Sequence, residues 1–156
     1  MAVVPAWPAS TLSAFKETMK KYLLIALASL SLSAVADDAA LDCNNIRNTL
    51  ETNRCAAIEL EAAEDVLTHY LETSVEHNAA DPVLVDAIQV AQKQWQAYAA
   101  AHCGAVYTQW RDGTIRGVMG ITCRTRLTKQ RTHDIWHDFL TYMDSTPPVL
   151  PEPNVE

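Results

Sequence analysis

The chain has 156 residues, 19 of them acidic against 12 basic, for a net charge of −7. That length suits one domain, and the acidic balance makes nucleic acid a poor partner. Its four cysteines are Cys43, Cys55, Cys103 and Cys123. An even number in a small exported chain reads as two disulfides, which excludes a free-thiol enzyme and a reducing compartment.

The first element is an export signal that does not sit at the start. Met19 to Ala36 reads MKKYLLIALASLSLSAVA. Lys20 and Lys21 form the charged region, Tyr22 to Leu32 the apolar region, and Ala34-Val35-Ala36 the cleavage site. The stretch is too short and too serine-rich for a membrane span of about 20 residues. Met19 is therefore the expected initiator, with residues 1–18 a mis-assigned upstream extension. Cleavage after Ala36 leaves residues 37–156, a soluble form with no lipidation cysteine and no stable membrane insertion. Its expected location is periplasmic or secreted.

The remaining chain reads as helices. Over 43–78, Ile46, Leu50, Ala57, Leu60, Ala63, Leu67, Leu71 and Val75 recur at helical spacings, with no Gly or Pro. Asp81-Pro82 is a restart signal, an N-cap followed by a first-turn proline. A second helix is predicted over 82–110, with Val85, Ile88, Ala91, Gln92, Trp95, Tyr98 and Ala99 on one side. Arg111 to Gly120 holds three glycines in eight residues and reads as a loop. A third helix is predicted over 121–143, using Leu127, Ile135, Trp136, Phe139, Leu140 and Met143. Residues 145–156 hold four prolines and are expected to be disordered or extended. The fold class is all-α: an up-down-up three-helix bundle of a long hairpin plus a third helix.

Charge is unevenly spread. Residues 37–92 carry 12 acidic and 2 basic side chains, residues 93–131 carry 1 and 7, and residues 132–156 carry 5 and none. The acidic half suits a basic protein partner, or serves only solubility.

Two cysteine pairings are open. In a hairpin centred near residue 80, Cys55 lies opposite Cys103, and Cys43 falls near Cys123. This nested pairing, Cys55–Cys103 with Cys43–Cys123, is the favoured expectation. The local alternative, Cys43–Cys55 with Cys103–Cys123, needs Cys43 to leave the helix. Two helical residues that far apart in sequence stand about 18 Å apart, against about 7 Å for a bridge. The nested pattern would pin the base of the 104–122 loop and present it rigidly to a partner.

Other chemistry is sparse. No cofactor is implied. His133 and His137 lie one helical turn apart, a metal-ligand spacing, but HDIWHD offers no obvious third ligand, although Asp134 and Asp138 are near. Solvated histidines are the reading, with no metal and no catalytic residues.

Three pieces are distinctive: Asn53-x-Cys55-Ala56, Gln92-x-x-Trp95-x-x-Tyr98 before Cys103, and Cys123 followed by Leu127-Thr128-x-Gln130-Arg131. With them, residues 41–140 resemble the LprI-type lysozyme inhibitor family, small exported helical proteins of bacteria. The resemblance implies a non-enzyme that binds a lysozyme and protects peptidoglycan. It implies structural roles for the motif residues Gln92, Trp95, Tyr98, Thr128, Gln130 and Arg131. The expected partner is a protein, a basic lysozyme whose cleft holds two carboxylates. Candidate contact residues are Trp110, Arg111, Asp112, Thr114 and Arg116 around the glycine loop; the plain alternative is a solvated connector. Trp95, Tyr98 and Trp136 are expected in the core. The competing function is an envelope adaptor or chaperone-like binder without lysozyme inhibition.

Overall fold

A computed structural model describes residues 41–155. The expected upstream extension, export signal and cleavage site lie outside the described residues. Three helices follow in order: α1 (Thr49–His77), α2 (Pro82–Gln109) and α3 (Arg116–Phe139). No strand occurs among the described residues. The chain is an up-down-up bundle.

Each start has a local cause. At α1 the Asn48 side chain accepts the Glu51 amide at 2.9 Å, and Glu51 reaches back to accept the Arg47 amide at 2.8 Å. This reciprocal cap starts the helix at Thr49 and leaves residues 41–48 outside it. At α2 the Asp81 carboxylate accepts the Val83 and Leu84 amides, both at 3.1 Å, with Pro82 next in line. This is the start that Asp81-Pro82 predicts.

The third helix departs from expectation. It begins at Arg116, not near 121, so Gly117 and Gly120 are helical, and it ends at Phe139. No glycine among the described residues has positive φ. Two of the glycines serve close approach instead. A Cβ on Gly117 would stand 2.9 Å from the Asn53 amide of α1, and one on Gly120 would stand 3.4 Å from Tyr107 Cβ of α2. The missing side chains let the first turns of α3 settle against both neighbours.

This placement corrects the hairpin. α3 packs along both α1 and α2, whereas α1 and α2 hardly approach each other. Asn53 meets Gly117 at one end, and the Asn78 amide reaches the Phe139 carbonyl at 3.4 Å at the other. α3 therefore runs parallel to α1. The disulfides are Cys43–Cys55 and Cys103–Cys123, each with Cα atoms 5.6 Å apart. The nested pairing is overturned. Cys43 precedes the Asn48 cap and folds back on the first turns of α1. Cys103, near the end of α2, faces Cys123 in the early turns of α3.

Two hydrophobic clusters fill the bundle. Ala99, Cys103, Cys123 and Leu127 form one beneath the α2–α3 loop, and Leu67, Tyr70, Ile135 and Leu140 form the other toward the α1–α2 turn. Trp95 packs against both. Ile46 and Leu50, expected on the inner face, are instead exposed at the mouth of α1. Met143 lies beyond the end of α3 and is fully exposed.

The proline-rich tail is extended and held in place, not disordered. The Val149 amide donates to the Leu140 carbonyl at 2.8 Å. Trp136 Nε1 donates to the Leu150 carbonyl at 2.9 Å, and the Tyr70 hydroxyl to the Pro151 carbonyl at 2.7 Å. Val149 and Leu150 pack on the second cluster, and Pro153 is buried. Proline removes donors but keeps carbonyls, so the tail pairs by accepting from the two aromatic side chains.

Candidate functional site

The loop between α2 and α3 is short, spanning 110–115, and both disulfides lie at its end of the bundle. Cys103–Cys123 closes the segment that contains it. Beside the loop lies a shallow recess of about 530 Å³, lined by Asn53, Tyr107, Arg111, Asp112, Gly113, Thr114, Arg116 and Gly117. Four of the five predicted contact residues thus line one depression. The fifth, Trp110, sits at the end of α2 and is 41% exposed. Tyr107 and Ile115 are exposed to a similar degree.

The loop is held by its own backbone and by its arginines. The Gly113 amide donates to the Trp110 carbonyl at 2.9 Å. The Arg116 guanidinium lies 5.5 Å over the Tyr107 ring, and its Nη1 donates to the Arg111 carbonyl at 3.3 Å. Arg111 stands 4.0 Å from Asp112 and makes a long contact of 3.5 Å to the Thr108 carbonyl. Both guanidinium groups stay exposed and keep donors free for another group, since each carries five. Ile115 caps α3 without a side-chain hydrogen bond.

Of the motif residues, Gln92, Trp95 and Arg131 are brought together elsewhere, where the three helices meet. Gln92 is buried, and its Oε1 accepts from Arg131 Nε at 3.0 Å. Burial pulls the Arg131 guanidinium below its ordinary value, with Asp134 and Asp138 opposing that shift. Trp95 is half-buried beneath Arg124, which stands 5.5 Å over its ring and 3.6 Å from Glu64 of α1. Thr128 is fully buried. Gln130 points to solvent. Tyr98 is not in the core: it is 56% exposed and stacks on His102 with ring centres 5.5 Å apart.

Sequence reasoning missed Arg124 and Asn53. Arg124 joins all three helices through Glu64 and Trp95. Its spacing from Arg131 places both on one face of α3, and that was the available signal. Asn53 was quoted as a motif residue, but its contact with Gly117 across the helices could not be read from the chain. The two histidines stack, with ring centres 6.3 Å apart. Each also has its own carboxylate, Glu152 for His133 at 3.3 Å and Asp138 for His137 at 2.8 Å. No group of three or more His, Cys, Asp or Glu side chains that could hold a metal occurs among the described residues.

The family model described as lysozyme inhibitor LprI matches residues 42–135. The chain belongs to the LprI family. The match runs from before the first cysteine into the last turns of α3, so it takes in both disulfides, the loop and the Gln92–Arg131 pair. No curated protein and no solved structure matches the chain. By its description the LprI family is an inhibitor family, which implies a protein partner. The two disulfides suit an oxidising compartment, and no helix among the described residues is long and apolar enough to cross a membrane.

Proposed function

We propose that the protein is exported, cleaved after Ala36, and acts outside the cytoplasm as an inhibitor that binds a lysozyme and protects peptidoglycan. The observation that carries this reading is the α2–α3 loop: an exposed tryptophan and two exposed arginines on a turn closed by Cys103–Cys123. Tryptophan and arginine are the side chains that most often dominate binding energy at interfaces. A loop already ordered loses little entropy on docking.

Charge supports the same orientation. α1 carries Glu59, Glu61, Glu64, Asp65, Glu72 and Glu76 along its length, while Arg111 and Arg116 stand at the loop end. A basic enzyme is attracted by the acidic flank, and its carboxylate-bearing cleft suits the arginine end. Inhibition then follows from occlusion of the cleft, with no chemistry performed by the inhibitor.

The test is clearance of a peptidoglycan suspension by chicken-type, goose-type and invertebrate-type lysozymes in the presence of residues 37–156. Stoichiometric slowing of at least one type is expected. No effect on any of the three overturns the reading and turns attention to other envelope proteins as partners.

A further inference from the structure

We infer that the recess beside the α2–α3 loop is a carboxylate-binding site, filled on docking by an Asp or Glu side chain of the partner protein. This rests on the reading that the loop end is the inhibitory surface. Three side-chain charges line the recess: Arg111, Arg116 and Asp112. They leave one net positive charge, which matches a monoanionic carboxylate better than a doubly charged phosphate. The two guanidinium groups are planar forks whose paired donors fit a carboxylate's two oxygens. Each already contacts a backbone carbonyl, Arg116 that of Arg111 in the loop and Arg111 that of Thr108 at the end of α2. Arg116 is further steadied by the Tyr107 ring.

The surroundings favour a protein-borne carboxylate over a free ion. Tyr107, which lines the recess, and Trp110 and Ile115 beside it are exposed apolar surface next to the cations. They offer contact area to the surface around the captured group. Docking also dries the site, which strengthens a charge-assisted hydrogen bond relative to water.

The experiment is nitrogen-15 NMR of the mature protein titrated with sodium acetate at constant ionic strength, with sodium chloride as the control. Saturable shifts are expected at residues 111–117 and at the Asn53 side-chain amide, with acetate only. Arg111→Gln and Arg116→Gln should each weaken acetate about tenfold, and the double variant should abolish the response. Both arginines are exposed, and the unchanged remainder of the spectrum reports that each variant is folded. No saturable shift, or a response that survives in the double variant, overturns the site. Inhibition that persists in a double variant lacking acetate binding overturns the site and leaves the lysozyme reading standing. Acetate binding by a protein that inhibits no lysozyme upholds the site and overturns that reading.

Discussion

Around the α2–α3 loop the bundle is closed by two disulfides over a small cluster of Ala99, Cys103, Cys123 and Leu127. At the opposite end, near the α1–α2 turn, there is no covalent link. That end is held by Leu67, Tyr70, Ile135 and Leu140, with Trp95, Trp136 and Phe139 packed against them and the tail strapped across. The difference follows from what each end exposes. At the loop end Trp110, Tyr107 and Ile115 stand in solvent, as the proposed contact surface requires, and so do not build a core there. Small residues fill the remaining space, and cross-links supply what apolar burial does not. The far end also exposes Val83, Tyr142 and Met143, but it packs Trp95, Trp136 and Phe139 against its buried cluster.

The largest expected effect breaks the apolar end. Ile135 has no exposed surface and lies at the centre of that cluster. Ile135→Ala should cost about 4 kcal/mol, read as a fall in the urea midpoint. Acetate binding and lysozyme inhibition should persist under conditions where the variant is still folded. If inhibition falls with stability from the first trace of denaturant, the two ends are not separable.

Next comes the covalent end. Replacing Cys103 and Cys123 together by serine opens the closed segment around the loop and should cost about 3 kcal/mol in the chain-entropy model. The loss of inhibition should exceed the loss of stability, because the loop no longer docks pre-ordered. Replacing Cys43 and Cys55 should cost slightly less, since the closed loop is shorter. A fully reduced protein that inhibits as well as the oxidised one would remove the disulfides from the account of function.

A smaller effect tests the tail. Truncation after Asp144 uncovers Trp136, Leu140 and Tyr70, and leaves the Trp136 Nε1 and Tyr70 hydroxyl without their tail carbonyls. Water replaces both partners, so the expected cost is about 2 kcal/mol, mostly from lost apolar cover. Inhibition should be unchanged in buffer. A truncated chain as stable as the intact one would show that the strap contributes nothing.

These differences track what the sequence makes legible. Helix starts with local chemistry are readable: Asp81-Pro82 announces α2 because the cap and the proline are adjacent. Asn48 does the same for α1, yet the apolar periodicity running through Ile46 masks it, and the expected helix begins too early. That misplacement put Cys43 in a helix and made the local bridge look unreachable. The glycines of α3 misled for a related reason. Glycine signals a turn or a close approach equally, and only Asn53 and Tyr107, distant in sequence, decide between them at Gly117 and Gly120. The tail was read from its prolines alone, although its acceptors wait for donors on Tyr70 and Trp136 that no local pattern reveals. The clustering of the loop candidates around one recess was legible because arginine, aspartate and glycine crowd one short segment. Arg124 was not, because its value lies in reaching two other helices at once.

The smallest effect concerns one hydroxyl. Tyr70 is buried and donates to the Pro151 carbonyl at 2.7 Å. Burial raises its pKa above the ordinary value of 10.0, because the phenolate is the form that loses hydration. A raised value means that the folded state favours the protonated phenol. Its contribution to stability is fully present below pH 10 and is lost as pH rises through the folded value. The phenolate also has no proton to donate and turns its charge toward the Pro151 carbonyl. Tyr70→Phe removes the hydrogen bond at all pH values and should cost about 1 kcal/mol near neutrality. The gap between wild type and Tyr70→Phe should therefore narrow above pH 10, when urea midpoints are compared at matched ionic strength. A gap that stays constant through that range would mean the hydroxyl is not what holds the tail.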